Sequence, residues 1–217
     1  MCGGRNIAGG RSKAMTSIDP KLRKALTGIS GILVTPFDQE DKLLFLRNDG
    51  IGLDAIEQLC RIEGVAGVKW AAPTPLRLAE AIRRGDPDIV WVGGLAEIWA
   101  PPLCAVGARG FTAGLINVWP EHSVAIHAAL EGGDYARANR LISVMSRFEE
   151  IRAEDQNGTN VTAVKAALQL MGEDCGPTRP PSAWPLTEDQ SADLRALLTS
   201  WKLMPHLATA ELKRATN

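Results

Sequence analysis

Lys69 closes the apolar run Gly64-Val65-Ala66-Gly67-Val68-Lys69-Trp70-Ala71. A cation on a buried strand must be paired, or its amine must be kept neutral. A neutral amine is a nucleophile, and at the mouth of a barrel it can condense with a ketone to a Schiff base. A lysine ending a strand is also an ordinary solvated edge residue, and the octapeptide alone leaves both readings open. Arg47 follows the apolar run Leu43-Leu44-Phe45-Leu46 and begins the turn Arg47-Asn48-Asp49-Gly50. Its guanidinium is a bidentate partner for a substrate carboxylate, or simply a solvated turn residue.

Other chemistries find less support. The four cysteines, at 2, 60, 104 and 175, form no Cys-x-x-Cys pair and have no histidine near them in sequence. Reduced, structural thiols are therefore expected rather than a metal site or a disulfide framework. His122 and His127 are five apart and do not share a helical face, so no zinc pair is expected. The single tyrosine, Tyr135, lies far along the chain and reads as a packing or surface residue of a helix. No Gly-x-Gly-x-x-Gly occurs at a strand-to-helix turn, which argues against a dinucleotide site.

The 217 residues are 45% hydrophobic and 23% charged with a formal net charge of −1, the balance of an ordinary globular chain with one sizeable core. That balance offers no electrostatic footprint for nucleic acid and no polybasic patch for a membrane. No apolar stretch approaches the ~18 residues of a spanning helix. Residues 1–17 are rich in Gly, Arg and Ser and read as a disordered tail without a secretory signal, which gives the expectation of a cytoplasmic protein.

Strand patterns over residues 29–34, 43–46, 65–70, 89–92 and 110–116 alternate with helical spacing over 53–62, 75–84 and 96–106. Such alternation predicts βαβ units around a parallel sheet. Pro101 and Pro102 interrupt the third of these helices or delay its start. After Glu121 the pattern is helical alone, over 123–130, 135–154, 161–171 and 187–201. Asp134 and Thr187 stand as N-caps of the second and last. The expected organisation is a tail at 1–17, a partial barrel at 18–122, a helical region at 123–205 and a tail at 206–217.

The order of these motifs resembles a known family. Gly31-Ile32-Leu33-Val34-Thr35-Pro36-Phe37 is followed by Gly67-Val68-Lys69, Gly93-Gly94 and Gly107-Ala108-Arg109-Gly110-Phe111-Thr112-Ala113-Gly114. Asn117-Val118-Trp119-Pro120-Glu121 and Asn160-Val161-Thr162-Ala163-Val164-Lys165 continue the series. Together they are similar to the dihydrodipicolinate synthase and N-acetylneuraminate lyase family of class I lyases. The resemblance implies a TIM (β/α)8 barrel with a C-terminal helical extension, usually tetrameric, using no metal or organic cofactor. It implies that Lys69 forms a Schiff base with pyruvate or a related 2-oxo acid, and that Gly94 and Thr112 line the pocket.

Two departures stand beside the resemblance. Only residues 37–42 separate the stretches that match the family's first and fifth strands, so about three βα units have no room. The family's carboxylate-holding motif after its second strand is missing with them. At the position of the family's proton-relaying tyrosine the chain has Phe45, which has no hydroxyl. The expected fold is therefore α/β, an incomplete barrel in which the matched strands at 28–35 and 43–47 could pair directly, leaving a distorted or open sheet. The functional expectations are an impaired Schiff-base lyase or, alternatively, a non-catalytic remnant that only assembles with relatives.

Overall fold

The computed structural model describes residues 28–31, 42–46, 51–179 and 184–204. Five parallel strands form one sheet: β1 (Gly28–Gly31), β2 (Lys42–Leu46), β3 (Val65–Trp70), β4 (Val90–Gly93) and β5 (Gly110–Ala113). Their order is β1-β5-β4-β3-β2. β1 and β2 therefore lie at opposite edges of the sheet and are not paired with each other, although the short stretch between them leaves direct pairing open. Each had a better partner: β1 aligns with β5 from Gly28↔Gly110 to Gly31↔Ala113, and β2 aligns with β3.

Three helices alternate with these strands, α1 (Leu53–Cys60), α2 (Pro75–Arg84) and α3 (Ala100–Ala105). Proline at the start of α2 and in the first turn of α3 costs no intrahelical hydrogen bond, because the first N–H groups have no partner there. α3 thus starts late, after a turn in which Ala96 adopts φ 58°. The β5 strand is shorter than its sequence pattern, since Leu115–Asn117 turn into a 3-10 helix.

Four helices complete the described chain: α4 (Pro120–Glu131), α5 (Tyr135–Asn157), α6 (Asn160–Leu170) and α7 (Glu188–Ser200). Asp134 caps α5 by accepting from the Arg137 N–H at 2.8 Å, and Thr187 forms a reciprocal capping box with Gln190. Regular helical geometry in α5 stops at Glu154, where the apolar spacing ends. Asp155, Gln156 and Asn157 then adopt left-handed φ of 51°, 56° and 66°.

Burial divides into two apolar clusters rather than the single core expected. Val68, Trp70, Leu78, Trp91 and Leu103 join the sheet to α1–α3. Phe111 and Ala113 of β5 instead pack into the C-terminal helices, with Ile126, Met145, Phe148, Leu194 and Leu198. β5 thereby sends side chains into the helical core, and β1 beside it lies against α4.

Candidate active site at the end of the sheet

Lys69 is the penultimate residue of β3 and is half-buried. Its neighbours Val68 and Trp70 sit in the helix-side cluster, so strand alternation puts Lys69 on the other face. Its register partners are Phe45 on β2 and Val92 on β4. Thr112 on β5 lies between Phe111 and Ala113, both turned into the helical core, which puts it on the Lys69 face as well. Its partner on β1 is Ser30. The sheet therefore brings Lys69 and Thr112 to one face and one end, with Phe45 beside the lysine in register.

Gly94 follows β4, and its N–H donates to the Trp70 carbonyl at 2.7 Å. A Cβ there would stand 3.0 Å from Lys69 Cε and 2.7 Å from Ala71 Cβ. Glycine at this turn is what lets the lysine side chain run across it. The Thr112 hydroxyl is buried with no hydrogen-bond partner among the described residues, and a buried orphan hydroxyl is a candidate ligand contact. Arg47 lies outside the described residues.

The sequence reading missed a buried charge cluster at the same end. Glu97, in the turn before α3, is fully buried and accepts a hydrogen bond from Ser123 Oγ of α4 at 2.6 Å. Burial, and next the charge of Glu149, push its carboxyl up to about 7 against the pull of Ser123 and Arg152. Glu149 and Arg152 of α5 are themselves buried, with Arg152 Nη1 reaching both Glu149 oxygens at 2.5 and 2.6 Å. Arg152 Nη2 donates to Asn160 Oδ1 at 2.9 Å. The guanidinium lies against Gly114, just past β5, where a Cβ would collide with it. A signal was present: Met145, Phe148, Glu149 and Arg152 fall at i, i+3, i+4 and i+7, which places two charges on the apolar stripe of a helix.

The remaining reactive side chains lie elsewhere. Burial pushes the Cys60 and Cys104 thiols up to about 11, which disfavours the thiolate. His122 stacks on Trp119 with ring centroids 4.0 Å apart, and its Nε2 bonds the Leu141 carbonyl at 2.9 Å. Tyr135 begins α5 and packs against the helical core. No group of three potential metal ligands occurs among the described residues, and no helix there is long and apolar enough to cross a membrane.

Comparison with known proteins adds to this geometry. The family model described as "Dihydrodipicolinate synthetase family" matches residues 45–201. An uncharacterised DapA-like lyase of Halobacterium salinarum is 33% identical over 154 residues, covering 71% of this chain and 49% of the relative. A probable 5-dehydro-4-deoxyglucarate dehydratase of Streptomyces avermitilis is 33% identical over 152 residues, covering 67% and 48%. The chain thus spans about half the length of the curated relatives it matches. Among solved structures, dihydrodipicolinate synthase from Oceanobacillus iheyensis superposes with a TM-score of 0.70 at 28% identity, covering 80% of this chain and 64% of that one. The enzyme from Bacillus clausii gives 0.70 at 30% identity, covering 75% and 55%. With a lysine at the end of an inner parallel strand and the family pattern running from Phe45 to Trp201, the chain belongs to the dihydrodipicolinate synthetase family.

Proposed function

We propose that the chain is a Schiff-base lyase acting on pyruvate or a related small 2-oxo acid, with weak turnover. The observation that carries this reading is Lys69 crossing Gly94 at the C-terminal end of β3. Active sites of parallel α/β barrels lie at that end of the strands. The amine adds to the keto carbon, and the carbinolamine loses water to give an iminium. When a proton leaves the next carbon, its electron pair moves to the iminium nitrogen and an enamine forms. The enamine carbon attacks an aldehyde in the addition direction, and the reverse steps cleave the same bond. The nitrogen is itself the electron sink, so this chemistry needs neither organic cofactor nor metal. In this reading the Thr112 hydroxyl and the turn at Gly94 line the substrate, and Arg47 meets its carboxylate.

Weak turnover follows from Phe45. It is the register partner of Lys69 and carries no acidic hydroxyl to shuttle protons. General acid–base catalysis is worth roughly 10²–10⁴-fold, so its loss alone slows the reaction by that order. We further read the open sheet as a barrel lacking about three βα units. Residues 32–41 lie between β1 and β2, fewer than the dozen or so that one parallel crossover takes.

The same two observations favour a second reading, a non-catalytic remnant that associates with relatives or further copies. β1 and β2 each have one strand partner in the described sheet, and an open edge invites pairing with another chain. Borohydride reduction in the presence of pyruvate separates the readings. A covalent adduct that maps to Lys69 and disappears in Lys69→Ala supports the lyase. A folded protein that forms no adduct supports the remnant.

A further inference from the structure

The buried charges beyond β5 do not balance. Glu97 faces Ser123 on α4 and the charged groups Glu149 and Arg152 on α5. The guanidinium is already engaged by both oxygens of Glu149. Ionisation of both acids would leave an uncompensated anion in the interior, and proteins avoid this by keeping one acid protonated. One Glu97 oxygen accepts from Ser123, while the other is buried without a partner among the described residues and is free to carry that proton.

We propose that Glu97 is a positioning residue: as a neutral acid it latches the turn after β4 onto α4 and α5, and loss of its proton releases that turn together with the Lys69 side chain that crosses it. The turn spans Gly94 to Trp99 and connects the two ends of this coupling. At one end Gly94 contacts Lys69 Cε. At the other, Glu97 docks against Ser123, with Arg152 close by against Gly114. Between them Ala96 is held at φ 58°, a conformation an alanine adopts at a cost, and its N–H donates to the Thr112 carbonyl at 3.2 Å. Such a turn persists because tertiary contacts hold it. Ionised Glu97 would accept more strongly from Ser123, but it would repel Glu149 and compete with it for Arg152, which disturbs the packing against α5 that overrides the local strain.

The latch deepens the reading of Lys69 as the reactive amine and rests on it only for its catalytic consequence. Its test therefore reads the proton and the amine directly. Infrared difference spectra of the full chain should contain a protonated-carboxyl C=O band that titrates near neutral pH and is absent in Glu97→Gln. Reductive methylation of Lys69 with formaldehyde and cyanoborohydride should rise more steeply with pH in the wild type than in Glu97→Gln. A band that persists in Glu97→Gln, or one absent at every pH, overturns the proposal, as do identical methylation profiles. Should Glu97→Gln fail to fold, Glu149→Gln is the second variant. It frees Arg152 for Glu97 and should move the titration to lower pH, and an unmoved titration overturns the latch. None of these readouts needs pyruvate, so a chain that forms no pyruvate adduct but keeps the band loses only the lyase reading.

Discussion

At Lys69 and Phe45 the questions of ancestry and activity separate. The two are register partners across β2 and β3, so position 45 is one strand away from position 69. Phe45→Tyr should raise lyase turnover by at least tenfold, within the roughly 10²–10⁴-fold that proton relay supplies. The comparison is of kcat in the variant and the wild type with pyruvate and an aldehyde acceptor. An unchanged kcat with intact adduct formation would mean that proton transfer is not what limits this chain. Lys69→Ala should abolish the borohydride-trapped adduct while leaving the circular dichroism spectrum in place, since the side chain is half-buried and lies outside both apolar clusters.

The turn after β4 and the caps of the long helices set the geometry at the scale of elements. Gly94→Ala puts a methyl 2.7 Å from Ala71 Cβ and 3.0 Å from Lys69 Cε, so the turn or the lysine must move. Overpacking of this kind costs about 1–3 kcal/mol. The variant should lose adduct yield by more than its melting temperature explains, checked by trapping at a temperature where it remains folded. Asp134→Ala removes the cap bond to the Arg137 N–H and should cost about 1 kcal/mol in denaturant unfolding, with adduct formation unchanged. Both positions were legible in sequence, the glycine pair after an apolar strand and the Gly-Gly-Asp before a helix. The kink after Glu154 was legible only as the end of an apolar pattern. Three left-handed residues in a row have no local preference to announce them, and they are held by what surrounds them, including Thr159 Oγ1 donating to the Ile151 carbonyl at 2.6 Å.

For the whole molecule, the buried cluster predicts how stability responds to pH. The folded-state pKa of Glu97 is raised from 4.5 to about 7 by burial and then by Glu149. The folded state holds the proton more tightly than the unfolded chain, so the stability linked to it is complete below about 4.5. It is lost as pH rises toward about 7 and stays level above that value. Thermal melts should show this fall in the wild type, and Glu97→Gln, which has no proton to lose, should flatten it. Breaking the neighbouring pair is a different matter. Arg152→Met leaves Glu149 buried without its cation and should cost on the order of 3–5 kcal/mol, read by denaturant titration.

The amino-acid sequence by itself determined the periodicities, hence the strands and helices, the family, and Lys69 as the residue to examine. Those are local or ordered properties: apolar spacing, turn residues and motifs in a fixed succession. Tertiary structure alone decided that β1 and β2 take opposite edges, because strand order follows from which partners align best and not from which strands are neighbours in the chain. It also decided that Glu97, Glu149 and Arg152 are all buried and near enough to act on one another's charge, two acids with one cation. Glu97 is 52 positions from Glu149 in the chain, and no spacing rule reaches that far. Charge balance in an interior depends on what folding brings together, and only the folded chain shows which acid must keep its proton.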